Sequence, residues 1–99
     1  MSGREECLDT ARKIIVGDRE EQYSGPEDSF TQIAEHWNVY LTRQLGHAVN
    51  LGPDDIAVMM SLLKIARLST GGTNQPDTWI DMAGYAGCGY EVSVREREV

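Results

Sequence analysis

Apolar residues recur every three or four positions along most of the chain, which is the spacing of amphipathic helices. The first such run covers residues 5–16. The second follows Pro26, whose fixed φ suits the first turn of a helix, and it ends at about Leu45. The third begins at Pro53 and contains the apolar segment IAVMMSLLKIARL. The pattern therefore predicts three helices in the first two thirds of the chain.

The segment STGGTNQP, residues 69–76, interrupts this pattern. Two glycines favour flexible backbone, and a proline restricts the residue before it to extended angles, so we expect a loop. A fourth helix is expected from Asp77 onward, and residues 92–99 either continue it or fray. Three glycines in this helix predict close packing against the third helix or a second copy of the chain: Gly84, Gly87 and Gly89.

Together these elements predict an all-α fold, a single-domain bundle of about four helices over residues 1–99. The expected core takes apolar residues from all four helices: Leu8, Ile15, Phe30, Ile33, Trp37, Leu41, Ile56, Met60, Leu63, Ile80 and Ala83. Because this core is small, we expect the chain to form a homo-oligomer.

The chain has 99 residues, of which 16 are acidic and 9 basic, and its net charge is −7. This length excludes a large multi-layer enzyme. The acidic balance argues against nonspecific binding to nucleic acids or anionic membranes, which needs clustered cations, but it permits binding of a small nucleotide. No apolar run is long enough to cross a bilayer, so we expect a cytoplasmic protein. Cys7 and Cys88 lack metal-ligand spacing, and we expect both to be reduced thiols.

Two cations of the third helix could bind a phosphate chain. Lys64 and Arg67 are three residues apart, so their side chains can reach the same volume beside an apolar face. In the structural alternative, each side chain extends to solvent or pairs with a carboxylate of the fourth helix.

Two carboxylates of the fourth helix could share a Mg²⁺ ion. Asp77 and Asp81 are four residues apart, which places them one turn apart on the same helix face. Asp54 and Glu35 could supply further metal ligands. In the structural alternative, Asp77 caps its helix and Asp81 pairs with a cation of the third helix, while Asp54 stabilises a helix N-terminus and Glu35 is solvated.

The polar segment between the first two helices, residues 17–26, combines charges of both signs with an aromatic ring. Arg19 and Tyr23 in this segment suit recognition of a base edge and stacking on a base, although a solvated loop explains them equally well. His36 and His47 have no partner at metal-ligand spacing, and no phosphate-binding glycine motif occurs. No Ser/His/Asp or Cys/His arrangement can be assembled from the sequence, so nucleophilic catalysis has little support.

Three segments in a fixed order carry a resemblance to a known family: GDREEQYSGPEDSF, DDIAVMMSLLKIARL and DTWIDMAGYA. They resemble a small domain of unknown function that is common in bacteriophage genomes. The similarity extends from about Ala11 to Tyr90. Trp79, within the last of these segments, is a further expected ligand-binding residue.

More distantly, the spacing of Asp77, Asp81 and Tyr85 looks like a segment of the MazG-like all-α nucleotide pyrophosphatases. That resemblance implies a Mg²⁺ site, hydrolysis of nucleoside triphosphates between the α- and β-phosphates, and a dimeric or tetrameric assembly. It also places Tyr85 among the expected ligand-binding residues. The acid pair that this family carries on the preceding helix has no counterpart here.

Three functions follow from these observations. The first is a phage-encoded, Mg²⁺-dependent nucleotide pyrophosphohydrolase in which Asp77 and Asp81 are catalytic. The second is a binding module that sequesters a nucleotide, such as a cyclic or modified signalling nucleotide of a host antiviral system. The third is an acidic adaptor that contacts another protein.

Overall fold

The computed structural model describes residues 2–17 and 25–98, without the side chains of residues 26, 27 and 95–98. It confirms an all-α bundle of four helices over this part of the chain. The helices are α1 (Gly3–Val16), α2 (Pro26–Leu45), α3 (Pro53–Arg67) and α4 (Pro76–Glu98). Of the two alternatives for the end of the chain, α4 continues, and Val92 is buried.

The ends of the helices have local causes in the sequence. The hydroxyl of Ser2 accepts a hydrogen bond from the backbone N–H of Glu5 at the start of α1. Gly46 ends α2 with a φ of 76°, a left-handed angle that glycine adopts without steric cost. At the start of α3, the carboxylate of Asp55 accepts a hydrogen bond of 2.9 Å from the backbone N–H of Gly52.

Helix α4 is the centre of the packing, because it contacts each of the other three helices. Helix α3 packs against both α2 and α4. The buried core lies between α2 and α3 and consists of Phe30, Ala34, Ile56 and Ala57. Partly buried residues of α4, Tyr85 and Cys88, pack against it. Within the described residues, no helix combines the length and apolar character needed to span a membrane. Neither Cys7 nor Cys88 forms a disulfide bond.

The glycines of α4 allow two other helices to approach closely. A Cβ added at Gly84 or Gly87 would lie 3.1 Å from the side chain of Ile15, so α1 rests directly on this part of α4. A Cβ added at Gly89 would lie 3.0 Å from the Cβ of Ala57 in α3. The predicted contact with the third helix is therefore confirmed at Gly89, whereas the other two glycines receive α1.

Two residues of the expected core are exposed. Leu8 is 63% exposed because α1 packs mainly against α4, which covers only a narrow strip of its surface. Leu63 is 45% exposed because it lies to one side of the face that α3 turns toward α2 and α4. The prediction was wrong at both positions, since helical spacing alone does not tell how many neighbours a helix has.

The segment predicted as a loop begins with a helical turn. Residues Leu68–Gly72 extend α3 as a wide π-type turn. The chain leaves helical geometry at Thr70 and at Gly71, whose φ is 103°. The break therefore falls where the glycines predict it, but the helical path reaches further than expected.

Candidate functional site

Five of the residues predicted to bind a ligand or metal lie where α3 ends and α4 begins: Lys64, Arg67, Asp77, Trp79 and Asp81. We call this region the α3–α4 corner and define it as residues 64–81. Within it, Nζ of Lys64 lies 2.9 Å from Oδ2 of Asp81, and the two side chains are only 14% and 29% exposed. This confirms the structural alternative in which Asp81 pairs with a cation of α3.

The turn at the corner is held by side chains that bond to the end of α3. The hydroxyl of Ser69 donates to the carbonyl of Ile65 at 3.0 Å, and the hydroxyl of Thr70 donates to the carbonyl of Ala66 at 3.2 Å. A Cβ added at Gly72 would lie 2.6 Å from the carbonyl oxygen of Arg67, so only glycine fits at this position. These contacts give the turn one defined path.

Trp79 presents a fixed aromatic surface at the corner. Its indole Nε1 donates a hydrogen bond of 3.0 Å to the backbone carbonyl of Thr73, while 47% of the residue remains exposed. The bond restrains the ring, and the exposed part is available for stacking. Sequence reasoning missed Thr73, because it contributes only a backbone carbonyl and this leaves no signal in the residue type.

The remaining charges of the corner lie at the surface. Arg67 is exposed, and it makes no ion pair with any residue that the structure describes. Asp77, the second residue of α4, is also exposed. The corner therefore has one ion pair with little access to water, together with a cation and an anion that solvent reaches.

The structure does not bring the other two predicted metal ligands to this corner. Asp54 stands at the opposite end of α3, ten residues before Lys64, which corresponds to about 15 Å along the helix. Glu35 lies on an exposed part of α2. Among the side chains that the structure describes, no three of His, Cys, Asp or Glu are close enough together to hold a metal ion.

A further predicted ligand contact, Tyr85, lies away from this corner. Tyr85 is half-buried and packs its ring against Phe30, with the ring centroids 6.4 Å apart, so its ring belongs to the contact between α2 and α4. Arg19 and Tyr23 lie outside the described residues.

Comparison with known proteins places the chain in a family. Residues 6–93 match the domain of unknown function DUF6378. The chain belongs to this family. Its similarity to the Gene 55 protein of Mycobacterium phage L5 is 41% identity over 91 residues, which cover 92% of this chain and 54% of that protein. Its similarity to the Gene 55 protein of Mycobacterium phage D29 is 37% identity over 84 residues, which cover 85% of this chain and 51% of that protein.

Membership of DUF6378 confirms the resemblance to a bacteriophage domain of unknown function. The chain spans about half the length of the curated relatives it matches. No solved structure matches the chain.

Proposed function

We propose that this DUF6378 chain binds a nucleotide at the α3–α4 corner and holds it without hydrolysing it. One observation carries the proposal: Arg67 and Trp79 stand on the two sides of a single turn, which Trp79 itself braces through Thr73. A cation and an aromatic face are the two groups needed to recognise a phosphate and a base.

The phosphate would bind to Arg67. Its guanidinium is exposed, makes no ion pair within the described residues, and can present two parallel N–H donors to a phosphate. Helix α4 begins at the same corner, and the positive end of its dipole attracts an anion, while the carboxylate of Asp77 in its first turn offsets part of that attraction. Lys64 contributes less, because Asp81 already neutralises its charge.

The base would stack on Trp79. Every nucleobase has a π-face, and stacking on an aromatic side chain is worth about 1–3 kcal/mol per base. Because the indole is already held by the carbonyl of Thr73, binding would restrict few further rotamers of this side chain. Arg19 and Tyr23 are additional candidates for contact with the ligand.

Binding is a better proposal than the Mg²⁺-dependent hydrolysis that the MazG-like resemblance implies. A metal-activated water needs several carboxylates to position the ion and a base to orient the nucleophile. The predicted catalytic acids are Asp77 and Asp81, and Asp81 is already paired with Lys64. The predicted metal ligand Asp54 lies at the other end of α3, far from both. A binder needs only the cation, the backbone and the aromatic face.

The experiment incubates the purified protein with a panel of linear and cyclic nucleotides, with and without Mg²⁺, and quantifies each species in the free and bound fractions. We expect an intact nucleotide in the bound fraction. Arg67→Ala and Trp79→Ala should each weaken its binding about tenfold or more. Arg43→Ala, which removes an exposed arginine from the last turn of α2, is the matched control and should leave binding unchanged.

Two outcomes would overturn the proposal. Release of pyrophosphate from a triphosphate, lost in Asp77→Asn at the exposed predicted catalytic acid, would establish hydrolysis in place of sequestration. If the wild-type chain retains no nucleotide from the panel, the third hypothesis, contact with another protein, replaces it.

A further inference from the structure

One face of α3 is apolar and uncovered. Val58, Leu62 and Ile65 follow one another at intervals of four and three residues, so they share one side of the helix. Their exposed fractions are 58%, 56% and 45%. We call these three residues the α3 outer face. It is separate from the α3–α4 corner, whose ion pair uses the side of α3 that is turned toward α4.

Helix α3 is apolar on its outer face as well as its inner one. Between Asp55 and Arg67 it has a single charged residue, Lys64, and this side chain is bound to Asp81 of α4. A helix of a soluble protein that is apolar on all sides is normally covered on all sides. Among the helices that the structure describes, those that pack against α3 are α2 and α4, and both lie on its inner side.

The exposed surface of the chain is larger than that of a compact monomer of the same mass. The chain exposes 7060 Å². A compact folded monomer of its mass, 11.0 kDa, exposes about 5,600 Å². The excess is about 1,400 Å², and each partner in a stable interface of standard size buries roughly 800 Å². The excess is larger than the surface that one partner buries in a standard dimer interface, so a second copy could bind without exposing less than a compact monomer does.

We propose that the α3 outer face binds the same face of a second copy of the chain, with the two α3 helices antiparallel across a two-fold axis. The axis passes beside Leu62, so Leu62 meets its own copy and Val58 meets Ile65 of the second copy. The face is self-complementary in this register because all three side chains are aliphatic and of similar size.

Charge also favours this arrangement. The chain carries a net charge of −7, and the α3 outer face is a part of its surface where two copies approach without opposing carboxylates. A parallel pair would bring together Asp54 and Asp55 of both copies at one end. The antiparallel pair places these carboxylates at opposite ends of the interface and lets the two helix dipoles oppose one another.

The test measures mass by sedimentation equilibrium across a wide range of protein concentrations. We expect the wild-type chain to form a dimer and Leu62→Glu to raise the dissociation constant about 30-fold or more, because the substitution puts two carboxylates at the axis. Val39→Glu adds the same charge to an exposed apolar position of α2 and should leave the dimer intact.

A second measurement does not depend on how Leu62→Glu folds. In a chain with Cys7→Ser and Cys88→Ala, Leu62→Cys should give a disulfide-linked dimer on air oxidation with a copper catalyst, and Val39→Cys should not. A wild-type chain that is monomeric at every concentration would overturn the proposal, as would equal cross-linking at both positions. Either result would mean that something other than a second copy covers the α3 outer face.

Discussion

The ammonium of Lys64 and the carboxylate of Asp81 form an ion pair of 2.9 Å that ties the end of α3 to the second turn of α4. Both side chains are more than two thirds buried, so neither charge is fully hydrated. Such an ion pair holds the two helices in register. If the helices shifted and the pair separated, each charge would stay partly buried without a counter-charge, which is unfavourable.

Removing one partner of this pair should destabilise the fold. We expect Asp81→Asn to lower the free energy of unfolding by about 1–3 kcal/mol, since the ammonium of Lys64 keeps its burial and loses its counter-charge. The double variant Lys64→Met with Asp81→Leu should recover most of this loss. Urea unfolding followed by circular dichroism measures both. If the loss in the double variant equals the summed losses of Lys64→Met and Asp81→Leu measured singly, the two residues do not act as a pair.

The side chain of Asn38 in α2 holds the connector between α2 and α3 by bonding to the backbone of Leu51. Its Nδ2 donates to the carbonyl of Leu51 at 3.1 Å, and its Oδ1 accepts from the N–H of Leu51 at 2.7 Å. Asn38→Ala leaves both partly buried backbone groups without this partner, so we expect a loss of about 1–3 kcal/mol in unfolding free energy. Asn50→Ala, at an exposed position of the same connector, is the control. Equal stability of the two variants would contradict this role.

Local signals in the sequence were sufficient to predict α2. Pro26 at its first turn and Gly46 after its last residue are both direct consequences of backbone geometry, and the observed bounds agree with the predicted ones. Leu8 shows where such reasoning ends. Its spacing is that of a core residue, but burial depends on which helices lie beside α1, and this is decided by the whole bundle.

The candidate site was predictable to a similar extent. A pair between Asp81 and a cation of α3 could be predicted as an alternative, because a short turn joins α3 to α4 and so brings Lys64 and Asp81 to the same end of the two helices. The hydrogen bond from Trp79 to Thr73 could not be predicted, since it requires the path of a turn whose first half is helical. Tyr85 was expected at the ligand, and its contact with Phe30 depends on where α2 packs.

The contact between α1 and α4 should fail when Gly84 receives a large side chain. A Cβ added at Gly84 would lie 3.1 Å from Cγ2 of Ile15, so the larger side chain of Gly84→Leu cannot fit without displacing α1. We expect a loss of about 1–3 kcal/mol and faster amide hydrogen exchange in α1 than in α3. Gly3→Ala, where an added Cβ meets nothing within 4 Å, is the control. Unchanged exchange in α1 would show that this helix is held by other contacts.

The charges on α1 should make its stability depend on pH in the acid range. The ammonium of Lys13, at 3.0 Å, and the guanidinium of Arg12 hold the pKa of the Asp9 carboxyl below its ordinary value of 3.8. A carboxyl whose pKa is lower in the folded state stabilises that state above the unfolded pKa, and this contribution disappears as the pH falls through the lowered value. NMR titration should place the midpoint of Asp9 below 3.8, and Lys13→Met should move it upward. Because Asp9 lies at the surface, added salt should shift the midpoint in the same direction. A midpoint that is indifferent to both Lys13→Met and salt would mean that the ion pairs do not set it.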